Sequence, residues 1–423
     1  MLSIKYIREN IDLVKESAKN KNSDVNLDEI VKLDENRREI IKEADDHKAK
    51  RNVVSQAIAQ KKRNGENSDQ EISDMRMVSD KIKELDGDLK IIEEKLHSCL
   101  LYVPNVIHPS VPIGFDESDN VTIREWGELP EYSFGLQDHL EIGENLKLFD
   151  FKRASKISGS GFPLYTGIGA KLERSLINYM LDLHTEKHGY TELFPPFLTN
   201  RDATQTTGQL PKFAEDMYHI PADDLFCIST AEVPVTNIHK DETLLEDDLP
   251  KKYSAYSACF RREAGSYGKE TRGLLRVHQF NKVEMVKFVK PEESYEELEK
   301  LLVDAEEVLQ SLNLHYRVRA LASGDLSFAA AKCFDIEVWA PGMQKYLEVS
   351  SCSNFQDFQA RRGNIRYRRK SDNKVDFVHT LNGSGVATPR LMIALLETYQ
   401  QDDGSVIIPK VLQPYLKADI LLP

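Results

Sequence analysis

Nothing in this chain is built to cross a bilayer. Across 423 residues no uninterrupted apolar stretch reaches the ~18 residues that a membrane-spanning helix requires. No apolar run near the start resembles a signal peptide either. The expectation is a soluble, cytoplasmic protein with no membrane partner. Cysteine is scarce. The five residues Cys99, Cys227, Cys259, Cys333 and Cys352 are widely spaced and contain no Cys-x-x-Cys pair, which removes the usual signal of a redox centre or zinc knuckle. They read as buried, reduced thiols. Positive charge is also in deficit. A formal charge of -13 argues against broad attraction to nucleic acid, although a local basic face is compatible with an acidic total.

Two nucleotide-binding signatures are missing as well. No Gly-x-Gly-x-x-Gly follows a strand, so a Rossmann-type site lacks its fingerprint. In CFRREAGSYGKETRG (259 to 273) Gly265, Gly268 and Lys269 crowd together, but a P-loop needs four residues between its glycines and Ser or Thr after the lysine. Here two residues intervene, and Glu270 comes next.

The residues that are present divide in two, since 40% hydrophobic residues supply a large core plus one further domain. From Leu27 to Leu101 there is no proline, and glycine occurs only at 65 and 87. Met75, Val78, Ile82, Leu85, Leu89, Ile92, Leu96 and Cys99 step by alternating three and four, the ~3.5-residue seam of a coiled coil. Leu33, Ile40, Ala44, Val54 and Ile58 keep the same phase earlier on, with Arg37, His47 and Arg51 at weaker seam positions. Asn64-Gly65 breaks the run and Ser68 is placed to cap the second helix. The expectation is an antiparallel helical hairpin, each arm roughly 50 Å long at 1.5 Å per residue. Such a rod fits a solvated strut, an oligomerisation element or a clamp on a polyanion. VPNVIHPSVPIG, with Pro104, Pro109, Pro112 and Gly114, ends it. The division expected is a helical domain over 1–103 with its arm at about 27–101, a linker over 104–125, and a second domain over 126–423.

The second domain mixes a helical run, AKLERSLINYMLDLHTEKHG, with extended segments of period two and few intervening long helices. That pattern favours an α+β fold, an antiparallel sheet with helices to one side. LLRVHQFNKVEMVKFV (274 to 289) alternates over a long run, so the loop before it reads as a hairpin turn. Period two places Arg261 with Glu263 on one face of the entering strand, and Arg276, His278, Phe280, Lys282 and Glu284 on one face of the leaving strand. Arginine forks match phosphate oxygens, phenylalanine stacks on a planar base, and glutamates accept from amines. These are the needs of ATP plus an amino acid; a solvated ladder of ion pairs is the other reading.

At this point the chain resembles the seryl-tRNA synthetases of the class II aminoacyl-tRNA synthetase family, nearly from end to end. EKHGYTELFPPFL, with Pro196, resembles the first class motif; FRREAG and TRGLLRVHQF the second; LNGSGVATPRLMIALLE, with Arg390, the third. TGQLPKF, TAEVPV, YLEVSSCSNFQDFQARR and HTLNGSG resemble signatures of the serine branch. The likeness implies a class II catalytic domain behind a coiled-coil arm, and a ligase that activates L-serine with ATP and Mg²⁺ and passes it to serine tRNA. It implies an arm that reads the long variable arm of that tRNA, and a homodimer joined around residues 170 to 200. Arg261 would grip the α-phosphate and the serine carboxylate, Glu263 would meet the adenine amino group, and Phe280 would stack on adenine. Arg276 and Arg390 would hold the outer phosphates. Glu348 and Ser351 would help place the nucleotide and its metal, and Arg262, Val277, Val349 and Ser350 would complete the ATP-binding set. Thr230, Ala231, Glu232, Arg261, Glu284, Asn382 and Ser384 would form the serine pocket. Glu348 and Ser351 differ in strand parity, so a bulge or a strand end is expected there. The competing reading is a catalytically silent, synthetase-like dimer that binds RNA.

Overall fold

The computed structural model describes residues 1–263 and 272–423. The predicted hairpin turn over residues 264–271 therefore lies outside the described residues. The chain separates into two compact units, one of residues 1–19 and 23–104, the other of residues 20–22 and 105–423.

The first unit is helical: α1 (Ile4–Glu9), α2 (Ile11–Asn20), α3 (Leu27–Arg63) and α4 (Asp69–Leu100). α3 and α4, of 37 and 32 residues, are about 55 and 48 Å long and pack along each other. The 3.5-residue seam is where the sequence places it. Ala44, Ile82, Leu85 and Leu96 are buried, and the remaining seam residues are buried or half-buried, Arg37, His47 and Arg51 among them. A long side chain tolerates such a place by burying its stem and keeping its charge at the rim; Arg37 reaches Glu93 of the facing helix at 3.8 Å. Ser68 occupies the N-cap of α4 without a capping hydrogen bond. Asn67 caps instead, its side-chain oxygen accepting from the Asp69 N–H at 2.8 Å.

The second unit is built on an eight-stranded sheet of β1 (Val121–Trp126), β2 (Thr191–Leu193), β3 (Lys251–Phe260), β4 (Gln279–Val289), β5 (Tyr316–Ala320), β6 (Lys332–Ala340), β7 (Lys345–Asn354) and β8 (His379–Ala387), in spatial order β1-β5-β6-β7-β8-β4-β3-β2. Every pairing is antiparallel except β2 with β3. Three helices, α5 (Gly167–Asp182), α6 (Ser294–Ser311) and α7 (Thr388–Tyr399), supply Leu172, Leu176, Leu301, Leu391 and Leu395 to one core with Val283, Met285, Val318, Ile336, Val338 and Leu381 of the strands. Alternation then sends the intervening strand residues to the opposite face, which carries the polar set beside a smaller apolar cluster of Val286, Phe288, Ala231, Val235 and Ala360.

Two expectations change. Of residues 104–125, read as a linker, those from 105 on are tied into the second unit: the Asn105 and His108 N–H groups donate to Phe328 and Ala331 carbonyls, and β1 is an edge strand. The prolines stop helix without stopping backbone pairing. The leaving strand also begins at Gln279 rather than Leu274, and the entering strand ends at Phe260. Arg261, Glu263, Arg276 and His278 therefore lie beyond the regular ladder, where period two no longer assigns a face. The cysteines are free; Cys259, Cys333 and Cys352 are buried and Cys99 and Cys227 half-buried.

Candidate active site

Register brings the polar residues together. Glu284 on β4 lies directly opposite Ser384 on β8 and Ala255 on β3, while Lys282 and Phe280 lie opposite Ser257 and Cys259. Small partners on β3 leave room above the sheet beside large functional ones on β4. Asn382, two residues before Ser384 on β8, shares its face.

The pocket so formed is buried and short of positive charge. The Thr230 hydroxyl donates to Glu284 Oε2 at 3.0 Å and accepts from the Glu232 N–H at 3.2 Å. Lys282 forms an ion pair with the same Glu284 oxygen. Glu284 Oε1 is buried without a partner. Glu232, carried by a short helical segment Glu232–Asn237 behind Ala231, accepts from Gln359 at 2.6 Å; Thr380 in turn donates to Gln359 at 2.8 Å. Burial, helped by the Glu284 charge, pushes the Glu232 carboxyl up to about 7. Two carboxylates facing one lysine, with an oxygen left over, form a site that a small cation stabilises.

The arginines around the pocket are already engaged with neighbouring groups. The Arg261 guanidinium sits over the Phe280 ring at 5.1 Å, and its main chain pairs with His278 through an N–H to carbonyl bond of 2.9 Å. Glu263 does not share the Arg261 face by alternation as predicted. Its φ of 52° is left-handed, and its carboxylate meets Arg276 at 2.5 Å. Arg390, in the first turn of α7, donates to the Leu275 and Glu348 carbonyls at 3.3 and 2.8 Å and approaches the Glu348 carboxylate at 3.5 Å. Arg276 and Arg390 are thus anchored beside each other through residues 275 and 276, each neutralised by a glutamate. Arg262 is exposed, its N–H held by the Asp216 carbonyl at 2.9 Å.

Of the bulge or strand end expected on β7, the structure has the bulge. Ile336 pairs with Ser350 but Glu337 pairs with Glu348, so Val349 is the extra residue. That insertion restores parity and puts Glu348 and Ser351 on one face. The same register sets Asp335 opposite Ser351. Burial, then the Glu348 charge, drives the Asp335 carboxyl well above its usual range. A pair of carboxyls that repel each other beside a hydroxyl is a donor set suited to a hard divalent cation. Among the described residues no cluster of three or more His, Cys, Asp or Glu side chains forms a metal site, so a cation here would draw on oxygen donors of mixed kind. Val277, Val349 and Ser350 are buried, and the Ser350 hydroxyl is committed to the Ser384 carbonyl at 2.5 Å.

Sequence reasoning did not assign roles to Lys282, Asp335 or Gln359. Lys282 was legible, two residues from Glu284 on one strand face. Asp335 and Gln359 meet their partners only through cross-strand register and tertiary packing, for which spacing gives no signal.

Residues 217–399 match the family model described as the tRNA synthetase class II core domain (G, H, P, S and T), and residues 1–107 match that of the seryl-tRNA synthetase N-terminal domain. The chain is 56% identical to a serine–tRNA ligase of Chloroherpeton thalassium with all of both chains covered, and 55% identical to one of Carboxydothermus hydrogenoformans with 99% of each covered. Its fold superposes on a crystal structure of seryl-tRNA synthetase from Pyrococcus horikoshii complexed with ATP at a TM-score of 0.95 and 40% identity, covering both chains completely. A cytoplasmic serine–tRNA ligase from Naegleria fowleri in complex with AMP gives a TM-score of 0.89 at 29% identity, covering 100% of this chain and 99% of that one.

Proposed function

The chain belongs to the seryl-tRNA synthetases, and on that premise we propose how its residues divide the work of a serine–tRNA ligase. The enzyme activates L-serine with ATP and transfers the seryl group to the 3′ end of serine tRNA. The buried pocket of Glu232, Glu284, Lys282 and Thr230 carries the assignment: its surplus of carboxylate receives the serine ammonium, and Thr230, Asn382 and Ser384 ring the hydroxyl. A site that pairs a hydroxyl rejects alanine strongly, because its own polar groups are otherwise stranded.

Arg261 stands at the pocket mouth, with its charge felt by Glu232. It bridges the serine carboxylate and the α-phosphate while one carboxylate oxygen attacks phosphorus and pyrophosphate leaves. Phe280 is uncovered for adenine when the guanidinium turns to phosphate. Arg276 and Arg390 take the outer phosphates by exchanging Glu263 and Glu348 for phosphate oxygens, and Glu263 is released toward the adenine amine. Mg²⁺, held by Glu348 and Ser351, would neutralise phosphate charge when bound. In the second step a terminal ribose hydroxyl of tRNA attacks the seryl carbonyl and AMP departs. No protein nucleophile is needed; alignment and charge cancellation carry the rate.

The helical arm is assigned to the long variable arm of serine tRNA, by shape and backbone contacts. The homodimer is assigned to the region of α5 and β2; β2 is an edge strand, and Phe194 beside it is 76% exposed. The substrates agree with a cytoplasmic site of action, and among the described residues no helix is long and apolar enough to cross a membrane. The silent RNA-binding alternative has no use for the paired and buried charges of the pocket. The test is amino-acid-dependent exchange of labelled pyrophosphate into ATP. Serine supports exchange, while alanine, threonine and cysteine support it at least about 100-fold less in kcat/KM; exchange driven equally by alanine would refute the pocket assignment.

A further inference from the structure

The strand that delivers Ser384 to the pocket ends irregularly. Pairing between β8 and β4 jumps from Ser384 with Glu284 to Ala387 with Lys282. Inside the jump, Val386 has a φ of 95°, a backbone state that a β-branched residue adopts only when its surroundings impose it. Gly385, beside it, has no such need, yet a side chain there has no room. A methyl group on Gly385 would lie 2.5 Å from Nε2 and 2.9 Å from Cδ2 of His184.

His184 reaches that spot because the chain after α5 widens into a π-helical turn, Leu183–Lys187. Such widened turns are uncommon and tend to mark functional places. The imidazole is fully buried. Its Nδ1 is bound to His188 Nδ1 at 3.0 Å, and His188 Nε2 is bound to Glu307 at 3.0 Å. Nε2 faces the Gly385 main chain and has no well-formed hydrogen bond. Burial above all, with His188 assisting and the Gly385 main chain opposing, brings the ring down to about 3. It is therefore a neutral, rigid wedge at any working pH, oriented from behind by His188 and Glu307.

We infer that His184 is a positioning residue for serine recognition: its ring, locked by His188, props the Gly385 main chain and so holds the bulge that aims Ser384 and starts α7. The inference rests on the serine-pocket reading. The two residues form a complementary pair of sizes, glycine against imidazole, which makes the contact testable by exchange of bulk.

Gly385→Ala and His184→Ser are made singly and together in the full-length enzyme, and serine-dependent pyrophosphate exchange is followed with the thermal midpoint. Gly385→Ala raises the KM for serine about tenfold or more, with a smaller change in the KM for ATP, as expected when a buried contact is overpacked. His184→Ser raises it a few-fold. In the double variant the smaller residue admits the methyl group, and serine KM returns to within about threefold of wild type, a non-additivity diagnostic of direct coupling. Additive losses in the double variant would overturn the inference, as would single variants that lose thermal midpoint while keeping wild-type KM for serine. If Gly385→Ala does not fold, His184→Asn, which shortens the wedge without overpacking, must still raise serine KM. Absence of serine-dependent exchange in the wild type would instead strike the pocket reading itself.

Discussion

Replacing Arg261 with alanine lowers serine-dependent pyrophosphate exchange by about 10²–10³-fold, the usual loss when one preorganised donor to developing charge is removed. The thermal midpoint moves little. Arg261 is exposed and sits at the end of a strand, its side chain resting on one face of Phe280, and an exposed cation over an aromatic ring contributes only about 0.5–1 kcal/mol. A residue that matters greatly to turnover and little to folding is one whose partner arrives with the substrate. Steady-state exchange kinetics beside a melting curve make the comparison. An Arg261→Ala protein exchanging pyrophosphate at the wild-type rate would remove the α-phosphate contact from the scheme.

The second large effect is a dependence of serine affinity on pH. The Glu232 carboxyl is pushed up to about 7, first by burial and then by the Glu284 charge. A carboxyl with a raised value holds its proton below that pH and is ionised above it. Serine brings an ammonium group, which stays charged across the range and favours the ionised carboxylate. Below pH 7 binding must therefore expel a proton, and the KM for serine rises by up to about tenfold for each pH unit lost. Above pH 7 it levels off. Glu232→Gln flattens the profile, because an amide has no proton to release. Glu284→Gln acts differently: it leaves Lys282 buried and unpaired, so serine KM rises about 100-fold and stability falls by about 3–5 kcal/mol. Serine KM measured by exchange from about pH 5.5 to 8 separates the cases. A flat profile in the wild-type enzyme would mean that Glu232 does not face the ligand cation.

The two predictions rest on features of unequal legibility. The arm was readable because a coiled-coil seam is a local, repeated signal, and even its polar interruptions at Arg37, His47 and Arg51 fall in phase. β4 was readable from period two as far as its regular part extends, which places Phe280, Lys282 and Glu284 correctly. Alternation failed where the strands end. Arg276 and Glu263 meet because a left-handed residue turns the chain, and no periodicity encodes that. The bulge at Val349 is legible only through a chemical demand, two ligands of opposite parity aimed at one metal, rather than through pattern. Asp335 and Gln359 were invisible because their partners are supplied by other strands and helices; His184 and His188 are one helical turn apart in sequence, but the contact with Gly385 comes only through packing. Position in sequence says which residue types are available; register and packing decide which of them meet.

The most direct test of the central claim is a crystal structure of this enzyme with a non-hydrolysable seryl-adenylate analogue. The account predicts the analogue's ammonium within hydrogen-bond reach of Glu232 or Glu284, its hydroxyl facing the Thr230, Asn382 and Ser384 side of the pocket, its phosphate mimic on Arg261, and its adenine against Phe280 with the guanidinium displaced. An analogue bound with its amino acid outside that pocket, or with Arg261 still lying on Phe280, would contradict it.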